Sequence, residues 1–279
     1  MANPAAPKAE EWVDPLPRPW EPGRGQHVGE RISITGAVRG PEVDVNMIEI
    51  HTLDNSSAQQ LIRTLAKSDP PRYKEAEFIV TEMARGTILP DATTYGMLVG
   101  IQVEGGQLRN AIHTYEYMIT NGIVPGRDTF NSIIRACSKA GRVDQTIKIF
   151  EDMAGHDVAP STTTYNILIG ACAKGGSAQE AVSYFDEMRA AGVEPDVVTY
   201  NVLLSAYLAM GDSHGVLSHF GEMREMGLRP ILLTYHIALE ACATAGLASE
   251  AMATIRLMDE AGAALDLGMY SHVMAALDG

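Results

Sequence analysis

The chain has 279 residues and a formal net charge of −14. Its hydrophobic content of 46% is enough for a continuous core, and no uninterrupted apolar run of about 18 residues is present, so we expect no membrane span. The excess of acidic residues argues against generic binding to a phosphate backbone, because that affinity comes from Lys and Arg side chains.

Residues 1–56 are rich in proline and glycine, and we expect an extended or partly disordered arm there. A second interpretation is an arm that becomes ordered on a protein partner, with a tryptophan in a pocket and arginines on acidic groups. The candidate partner-binding residues of the arm are Trp12, Arg18, Trp20 and Arg24.

From residue 57 onward the sequence repeats with a period of 35 residues. A proline, a methionine and an aromatic residue each keep one phase along the chain. The prolines are Pro90, Pro125, Pro160, Pro195 and Pro230, the methionines are Met83, Met118, Met153, Met188, Met223 and Met258, and the aromatic residues are Tyr95, Phe130, Tyr165, Tyr200, Tyr235 and Tyr270. A fixed period of this length is typical of stacked-repeat architectures.

The stretch 162–196 shows the structure that one unit predicts. Apolar residues from Tyr165 to Cys172 recur at helical spacing, and the glycines that follow end this first helix. A second amphipathic stretch runs from Ala181 to Met188, and Pro195 prevents its extension. Such short helices are marginal alone and need the next hairpin to cover them. The sequence therefore predicts an all-α solenoid of stacked helix-turn-helix repeats, preceded by the extended N-terminal arm.

We divide the repeat region, residues 57–279, into six units and a half-unit. The ranges of units one to six are 57–91, 92–126, 127–161, 162–196, 197–231 and 232–266, and the half-unit is 267–279. Unit one is degenerate, and its first helix is in phase only if the turn at 68–71 carries about two extra residues. The half-unit supplies a first helix, and we expect its Val273, Met274 and Leu277 to cover unit six.

Several short motifs recur in phase with the repeat. In unit four they are TTTYN at 162–166, EA at 180–181, FDEM at 185–188 and GVEPD at 192–196. This pattern resembles the pentatricopeptide repeat (PPR), and the resemblance covers about residues 57–279. The tetratricopeptide repeat fits less well, because it has a period of 34 residues and a tryptophan in its first helix.

The resemblance implies that the first helices line a concave surface on which each unit contacts one base of single-stranded RNA. In the family, the residue after the tyrosine and the residue after the proline contact the base edge together, and the residue three before the former is a platform between bases. The implied base-reading residues are Asn131, Ser161, Asn166, Asp196 and Asn201, and the implied platforms are Thr163 and Val198. Asn131 with Ser161 resembles a cytosine-preferring pair, and Asn166 with Asp196 a uracil-preferring pair.

The remaining units depart from the family pattern. Unit two has glycine at both base-reading positions, unit five has Ile231 at the second position, and unit six has His236 with Asp266, which matches no combination that we can decode. The charged Asp128 is an unsuitable platform in unit three. The candidate phosphate-binding residues are Arg135, Lys139 and Lys174. RNA-reading chemistry is therefore expected mainly in units three and four, with a remnant in unit five.

No catalytic or metal-binding pattern is evident in the sequence. His236 and His272 lie on first helices one layer apart, and we interpret them as solvated or hydrogen-bonded side chains. Cys137, Cys172 and Cys242 share one position in their units, which indicates buried core residues of the first helices. We therefore expect a non-enzyme with no metal site, no cofactor and no small-molecule substrate.

Two classes of function remain open. The first is a non-catalytic organellar factor of RNA metabolism that reads a short, single-stranded, pyrimidine-rich segment. The alternative is a structural subunit or adaptor, a scaffold in an organellar ribosome or another gene-expression complex, which docks on protein or rRNA. The family resemblance implies the mitochondrion, with the plastid as the alternative. The acidic residues between Glu10 and Asp14 do not fit a transit peptide, so either the start of the sequence is a mature or trimmed end, which we favour, or the targeting signal lies elsewhere.

Overall fold

The computed structural model describes residues 54–85 and 89–278, and within these ranges it consists of thirteen α-helices without strands. The helices are α1 (Asn55–Ala66), α2 (Tyr73–Arg85), α3 (Ala92–Glu104), α4 (Leu108–Thr120), α5 (Arg127–Lys139), α6 (Val143–Gly155), α7 (Thr162–Lys174), α8 (Ala178–Ala190), α9 (Val197–Ala209), α10 (Ser213–Glu225), α11 (Leu232–Ala245), α12 (Ala248–Glu260) and α13 (Leu267–Asp278). The arm residues Trp12, Arg18, Trp20 and Arg24 lie outside the described ranges.

The odd-numbered helices are the first helices of the units, and the even-numbered helices are the second helices. From α3 to α13 each first helix begins 35 residues after the one before it, and the second helices from α2 to α12 keep the same interval. From α1 to α11, each first helix contacts its own second helix and the next first helix along the chain. The predicted all-α solenoid is therefore confirmed.

Unit one differs at its start, as the phase shift predicts. Helix α1 is capped by Asp54, which lies 37 residues before the equivalent cap Asp91, and the turn between α1 and α2 runs over residues 67–72. The boundary expected between residues 56 and 57 is corrected, because α1 already begins at Asn55. Asp54 explains this start, since its side chain accepts a hydrogen bond from the amide of Ser57 at 2.8 Å.

From unit two to unit six, aromatic contacts join each unit to the next in the core. The tyrosine or phenylalanine near the start of a first helix packs in a T-shape on the aromatic ring of the preceding second helix. The pairs are Tyr115–Phe130 at 5.7 Å, Phe150–Tyr165 at 5.3 Å, Phe185–Tyr200 at 5.6 Å and Phe220–Tyr235 at 5.9 Å between ring centroids. Each such pair contributes about 0.5–1.5 kcal/mol beyond its buried area. The sequence period therefore corresponds to equivalent places in successive layers.

The methionines and cysteines that keep the period also belong to the core. All six in-phase methionines, from Met83 to Met258, are buried, and so are Cys137, Cys172 and Cys242. Burial raises the pKa of each of these three thiols to about 11. At neutral pH the thiols are therefore protonated and behave as small apolar side chains.

The last helix, α13, is covered on one side only. Met269, Val273 and Ala276 are buried against unit six, whereas Met274 and Leu277 are 57% and 50% exposed. The expectation that Met274 and Leu277 cover unit six is therefore wrong, although it holds for Val273. No helix in the described ranges is both long enough and apolar enough to cross a membrane.

Candidate nucleic-acid interface

The side-by-side first helices form one continuous surface, which we call the first-helix face. An open pocket of about 460 Å³ lies on this face between α5, α7 and α9. Seven of the residues that the family resemblance singles out line it: Arg135, Lys139, Thr163, Asn166, Lys174, Asp196 and Val198. The fold thus brings together predicted base-reading, platform and phosphate-binding residues from units three, four and five.

Asn166 is held from two sides, by Asp196 at the end of unit four and by Thr199 at the start of unit five. Its Nδ2 donates to Oδ1 of Asp196 at 3.0 Å, and its Oδ1 accepts from Oγ1 of Thr199 at 2.6 Å. An asparagine amide offers two N–H donors and two acceptor lone pairs. One donor and one acceptor site of Asn166 therefore remain for a ligand that presents a carbonyl next to an N–H group, as the edge of uracil does.

Besides accepting a hydrogen bond from Asn166, Asp196 caps the N-terminus of α9. Its Oδ1 accepts from the amide of Thr199 at 2.8 Å as well as from Asn166. Burial raises the pKa of Asp196, but the hydrogen bonds from the Thr199 amide and from Asn166 outweigh this effect and hold the pKa below its usual range. Asp196 is therefore ionised at neutral pH and acts only as an acceptor toward Asn166.

Unit three shows a related but looser arrangement. Oδ1 of Asn131 accepts from Oγ1 of Thr164 at 2.8 Å, and Oγ of Ser161 lies 3.0 Å from the same threonine oxygen. Ser161 is therefore linked to Asn131 through Thr164. Within the described ranges, no side chain accepts from Nδ2 of Asn131, so both of its N–H donors are available.

Asn201 in unit five is the least accessible of the three asparagines. It is only 6% exposed, and its Oδ1 accepts from Oγ1 of Thr234 at 2.7 Å. Ile231 stands where Asp196 stands in the unit before and offers Asn201 no side-chain acceptor. A base could contact Asn201 only if that side chain became more accessible.

The three candidate phosphate ligands stand out from the acidic background of the solenoid. Residues 91–279 carry 11 basic and 22 acidic side chains. Arg135, Lys139 and Lys174 are exposed on neighbouring first helices, and none of them forms an ion pair with a residue in the described ranges. Their positive charge is thus free to act on an anion in the pocket.

A recurring threonine completes the site, although sequence reasoning did not assign it. Thr164, Thr199 and Thr234 are each buried at the third position of a first helix, and each donates to the asparagine of the preceding unit. Their 35-residue spacing was visible in the sequence. Their role was not, because the contact joins residues 33 apart and depends on how successive layers stack.

A second grouping joins unit six to the half-unit. Sequence reasoning placed its two histidines one layer apart but interpreted them as solvated or hydrogen-bonded side chains, and it did not consider Glu240. His236, Glu240 and His272 each place one potential ligand atom within 4.8 Å of the others. The two histidines are 36 residues apart, which in a solenoid of 35-residue units makes them neighbours on adjacent first helices. This spacing was the signal in the sequence that indicated the proximity of the two histidines.

Comparison with known families decides what kind of repeat this is. The family profile described as "Pentacotripeptide-repeat region of PRORP" matches residues 102–263, which is more than half of the chain. The chain belongs to the pentatricopeptide-repeat family. Among curated protein sequences, none matches the chain.

Solved PPR structures share the fold at low sequence identity. The crystal structure of PPR10 from maize is 23% identical with a TM-score of 0.53, over 79% of this chain and 36% of PPR10. The PPR domain of Arabidopsis thaliana protein-only RNase P 1, in complex with tRNA, is 17% identical with a TM-score of 0.58, over 65% of this chain and 95% of that domain. Nuclear proteinaceous RNase P 2 from A. thaliana is 16% identical with a TM-score of 0.61, over 67% of this chain and 42% of that protein.

These likenesses concern the repeat architecture. PPR10 has also been crystallised in complex with an 18-nt psaJ RNA element, and that structure covers 81% of this chain and 36% of PPR10. The present chain thus spans about a third of the length of PPR10.

Proposed function

We propose that this PPR protein is a non-catalytic RNA-binding factor of an organelle, mitochondrion or plastid, and that it binds a short pyrimidine-rich segment of single-stranded RNA. The observation that carries the proposal is the pocket between α5, α7 and α9, where Asn166, Asp196 and three unpaired cations face one space. The RNA complexes of PPR10 and of the RNase P 1 PPR domain support RNA as the ligand class.

The proposed contacts follow from the chemistry of each group. Asn166, oriented by Asp196 and Thr199, binds the edge of a uracil, and Asn131 binds a neighbouring cytosine. Thr163 and Val198 are exposed at the second position of their helices, where they can separate adjacent bases. Arg135, Lys139 and Lys174 bind the phosphates that join these nucleotides.

The affinity expected from so few contacts is modest. Each base contact contributes about 1–3 kcal/mol, so two or three bases contribute about 2–9 kcal/mol. Nanomolar binding needs about 12 kcal/mol, so we expect dissociation constants in the micromolar range or weaker. The net charge of −14 opposes any additional non-specific attraction.

Fluorescence anisotropy with a labelled single-stranded CU-containing RNA at low salt tests this function. The variant that combines Asn166→Ala, Lys139→Ala and Lys174→Ala should abolish binding, because it removes a base contact and two phosphate contacts. A matched control that removes two exposed cations from second helices, Arg109→Ala with Arg256→Ala, should bind like the wild type. Absence of wild-type binding at low salt would overturn the proposal.

A second candidate function is supported by exposed apolar side chains at the starts of α11 and α13. Ile231, Leu232 and Leu233 are about half exposed, at 49%, 48% and 53%, and Leu267 is 88% exposed. Such a patch fits docking on a protein partner, as in a structural subunit or adaptor of an organellar ribosome or another gene-expression complex. This function predicts co-sedimentation with a large complex that is lost when residues 1–50 are deleted. A free monomer in extracts would count against it.

A further inference from the structure

The first-helix face changes its chemistry in unit six. His236 follows Tyr235 as Asn166 follows Tyr165, so a histidine occupies the base-reading position. Glu240 lies one turn further along α11, and His272 lies on the adjacent helix α13. One potential ligand atom of each residue lies within 4.8 Å of those of the other two. We propose that His236, Glu240 and His272 bind a divalent transition-metal ion, with Zn²⁺ as the best fit.

His236 is free to bind a metal ion because it lacks the threonine donor that holds the asparagines at this position. In units three to five the side chain at this position accepts a hydrogen bond from the threonine of the next unit, as Asn166 does from Thr199. In the half-unit that threonine is replaced by Met269, which is buried and has no hydroxyl group. No polar contact from α13 therefore fixes His236 in the orientation that the asparagines adopt.

The space beside His236 is also open. The second position of the next first helix carries a side chain in the units before, namely Thr163, Val198 and Leu233, but Gly268 in α13. A Cβ atom on Gly268 would lie 3.5 Å from Nε2 of His236 and 3.3 Å from Oδ1 of Asp266. The missing side chain thus leaves Nε2 uncovered, which is the other ring nitrogen from Nδ1, the one near Glu240.

The geometry is close to that of a coordinated ion. Nδ1 of His236 lies 3.8 Å from Oε2 of Glu240, and the rings of His236 and His272 meet edge-on with centroids 5.0 Å apart. A tetrahedral zinc ion with bonds of about 2.1 Å separates its ligand atoms by roughly 3.4 Å. Rotation of partly exposed side chains closes the remaining difference, and the side chains of His236 and Glu240 are 35% and 42% exposed.

The donor set decides the class of ion. Two imidazoles with one carboxylate favour zinc, cobalt or nickel over magnesium and calcium, which prefer oxygen ligands. Three protein ligands leave a further coordination position for water or another donor. Because the ligands come from α11 and α13, a bound ion joins the last two first helices of the described chain and stabilises that layer.

Metal titration of the full-length, tag-free protein tests this site independently of RNA binding. After treatment with a chelator, the protein is titrated with Co²⁺, followed by visible absorption, and with Zn²⁺, followed by calorimetry. We expect one equivalent of either ion to bind and zinc to raise the melting temperature. His236→Ala and His272→Ala should each weaken binding at least about tenfold and remove the rise in melting temperature.

His214→Ala is the matched control, because His214 is exposed on α10 and away from the cluster. Circular dichroism of the metal-free variants establishes that they fold, and Glu240→Gln provides a third, nearly isosteric, test of the same site. Failure of the wild type to take up cobalt or zinc would overturn the proposal. So would binding that survives both histidine substitutions, or binding that His214→Ala weakens to the same extent.

Discussion

At the scale of single residues, the first-helix face depends on threonines that no ligand would touch. The hydroxyl of Thr199 accepts from the backbone amide of Asp196 at 3.0 Å and donates to Oδ1 of Asn166 at 2.6 Å. It therefore connects the cap of α9 to the side chain that we propose reads a base. Residues that orient a binding group matter because they reduce the freedom that it would lose on binding.

Thr199→Val tests this link, because it removes the hydroxyl and keeps the shape of the side chain. Of the two hydrogen bonds that the variant loses, the one to Asn166, about 0.5–1.5 kcal/mol, orients the base-reading side chain, and its loss should lower the affinity for CU-containing RNA about three- to tenfold in an anisotropy titration. Thr254→Val is the matched control, since Thr254 is buried on α12 and donates to the carbonyl of Glu250 instead. Equal affinities for the two variants would contradict the orienting role of Thr199.

Sequence reasoning indicated which of the candidate residues lie near one another, but not the contacts that hold them. The motif TYN at 164–166 indicated Asn166 and the proline at 195 indicated Asp196, and these two side chains are hydrogen-bonded. The burial of Asn201 could not be predicted in this way, because it depends on the layer that unit six adds above it. The proximity of His236 and His272 also depends on the stacking of α13 against α11.

At the scale of helices and turns, the period of 35 residues is enforced by the turn that follows each second helix. From unit two to unit six the same turn position is held by Gly122, Asp157, Gly192, Gly227 and Gly262, with φ values of 70°, 58°, 72°, 76° and 69°. This left-handed conformation suits glycine and is unfavourable for residues with a Cβ atom. Asp157 is therefore the one strained position among these five turns.

Asp157→Gly should stabilise the protein by about 0.5–1 kcal/mol, because it removes this strain. The converse change, Gly192→Ala, should destabilise it by about 1–2 kcal/mol, since alanine would have to adopt φ near 72°. Urea unfolding followed by circular dichroism measures both effects. A lower stability for Asp157→Gly than for the wild type would contradict this account of the turn.

Helix positions were largely predictable because the residues that end helices and the apolar periodicity agree in this chain. Glycine, proline and the apolar pattern mark the same boundaries in units two to five, and in unit six Leu265 replaces the proline. The start of α1 was placed too late, because its cap Asp54 lies in a stretch whose composition resembles the arm. The exposure of Met274 and Leu277 was missed, since one apolar helix face does not show which neighbours cover it.

At the scale of the whole molecule, the distribution of charge matters more than the total. The net charge of −14 would repel RNA, but Arg135, Lys139 and Lys174 form a local positive patch on the first-helix face. Salt dependence counts the phosphates that such a patch neutralises. The acidic rest of the surface repels RNA. Salt also screens this repulsion, which partly offsets the affinity that salt removes at the patch.

Three phosphate contacts predict a slope of about −2 in a plot of log K against log salt for single-stranded RNA. Removal of Lys139 and Lys174 should reduce the slope to about −0.7, whereas Arg109→Ala with Arg256→Ala should leave it unchanged. Anisotropy titrations between about 50 and 200 mM salt measure the slope. A wild-type slope near zero, or equal slopes for both double variants, would show that the patch does not bind phosphate.

The most direct test of the central claim is a map of where RNA touches the protein. Photo-crosslinking of a CU-containing RNA with 4-thiouridine, followed by mass spectrometry of the linked peptides, provides it. We predict crosslinks in peptides from α5, α7 and α9, around Asn131, Asn166 and Val198. Crosslinks confined to the second helices, or to residues 1–53, would contradict the assignment of the first-helix face as the RNA-binding surface.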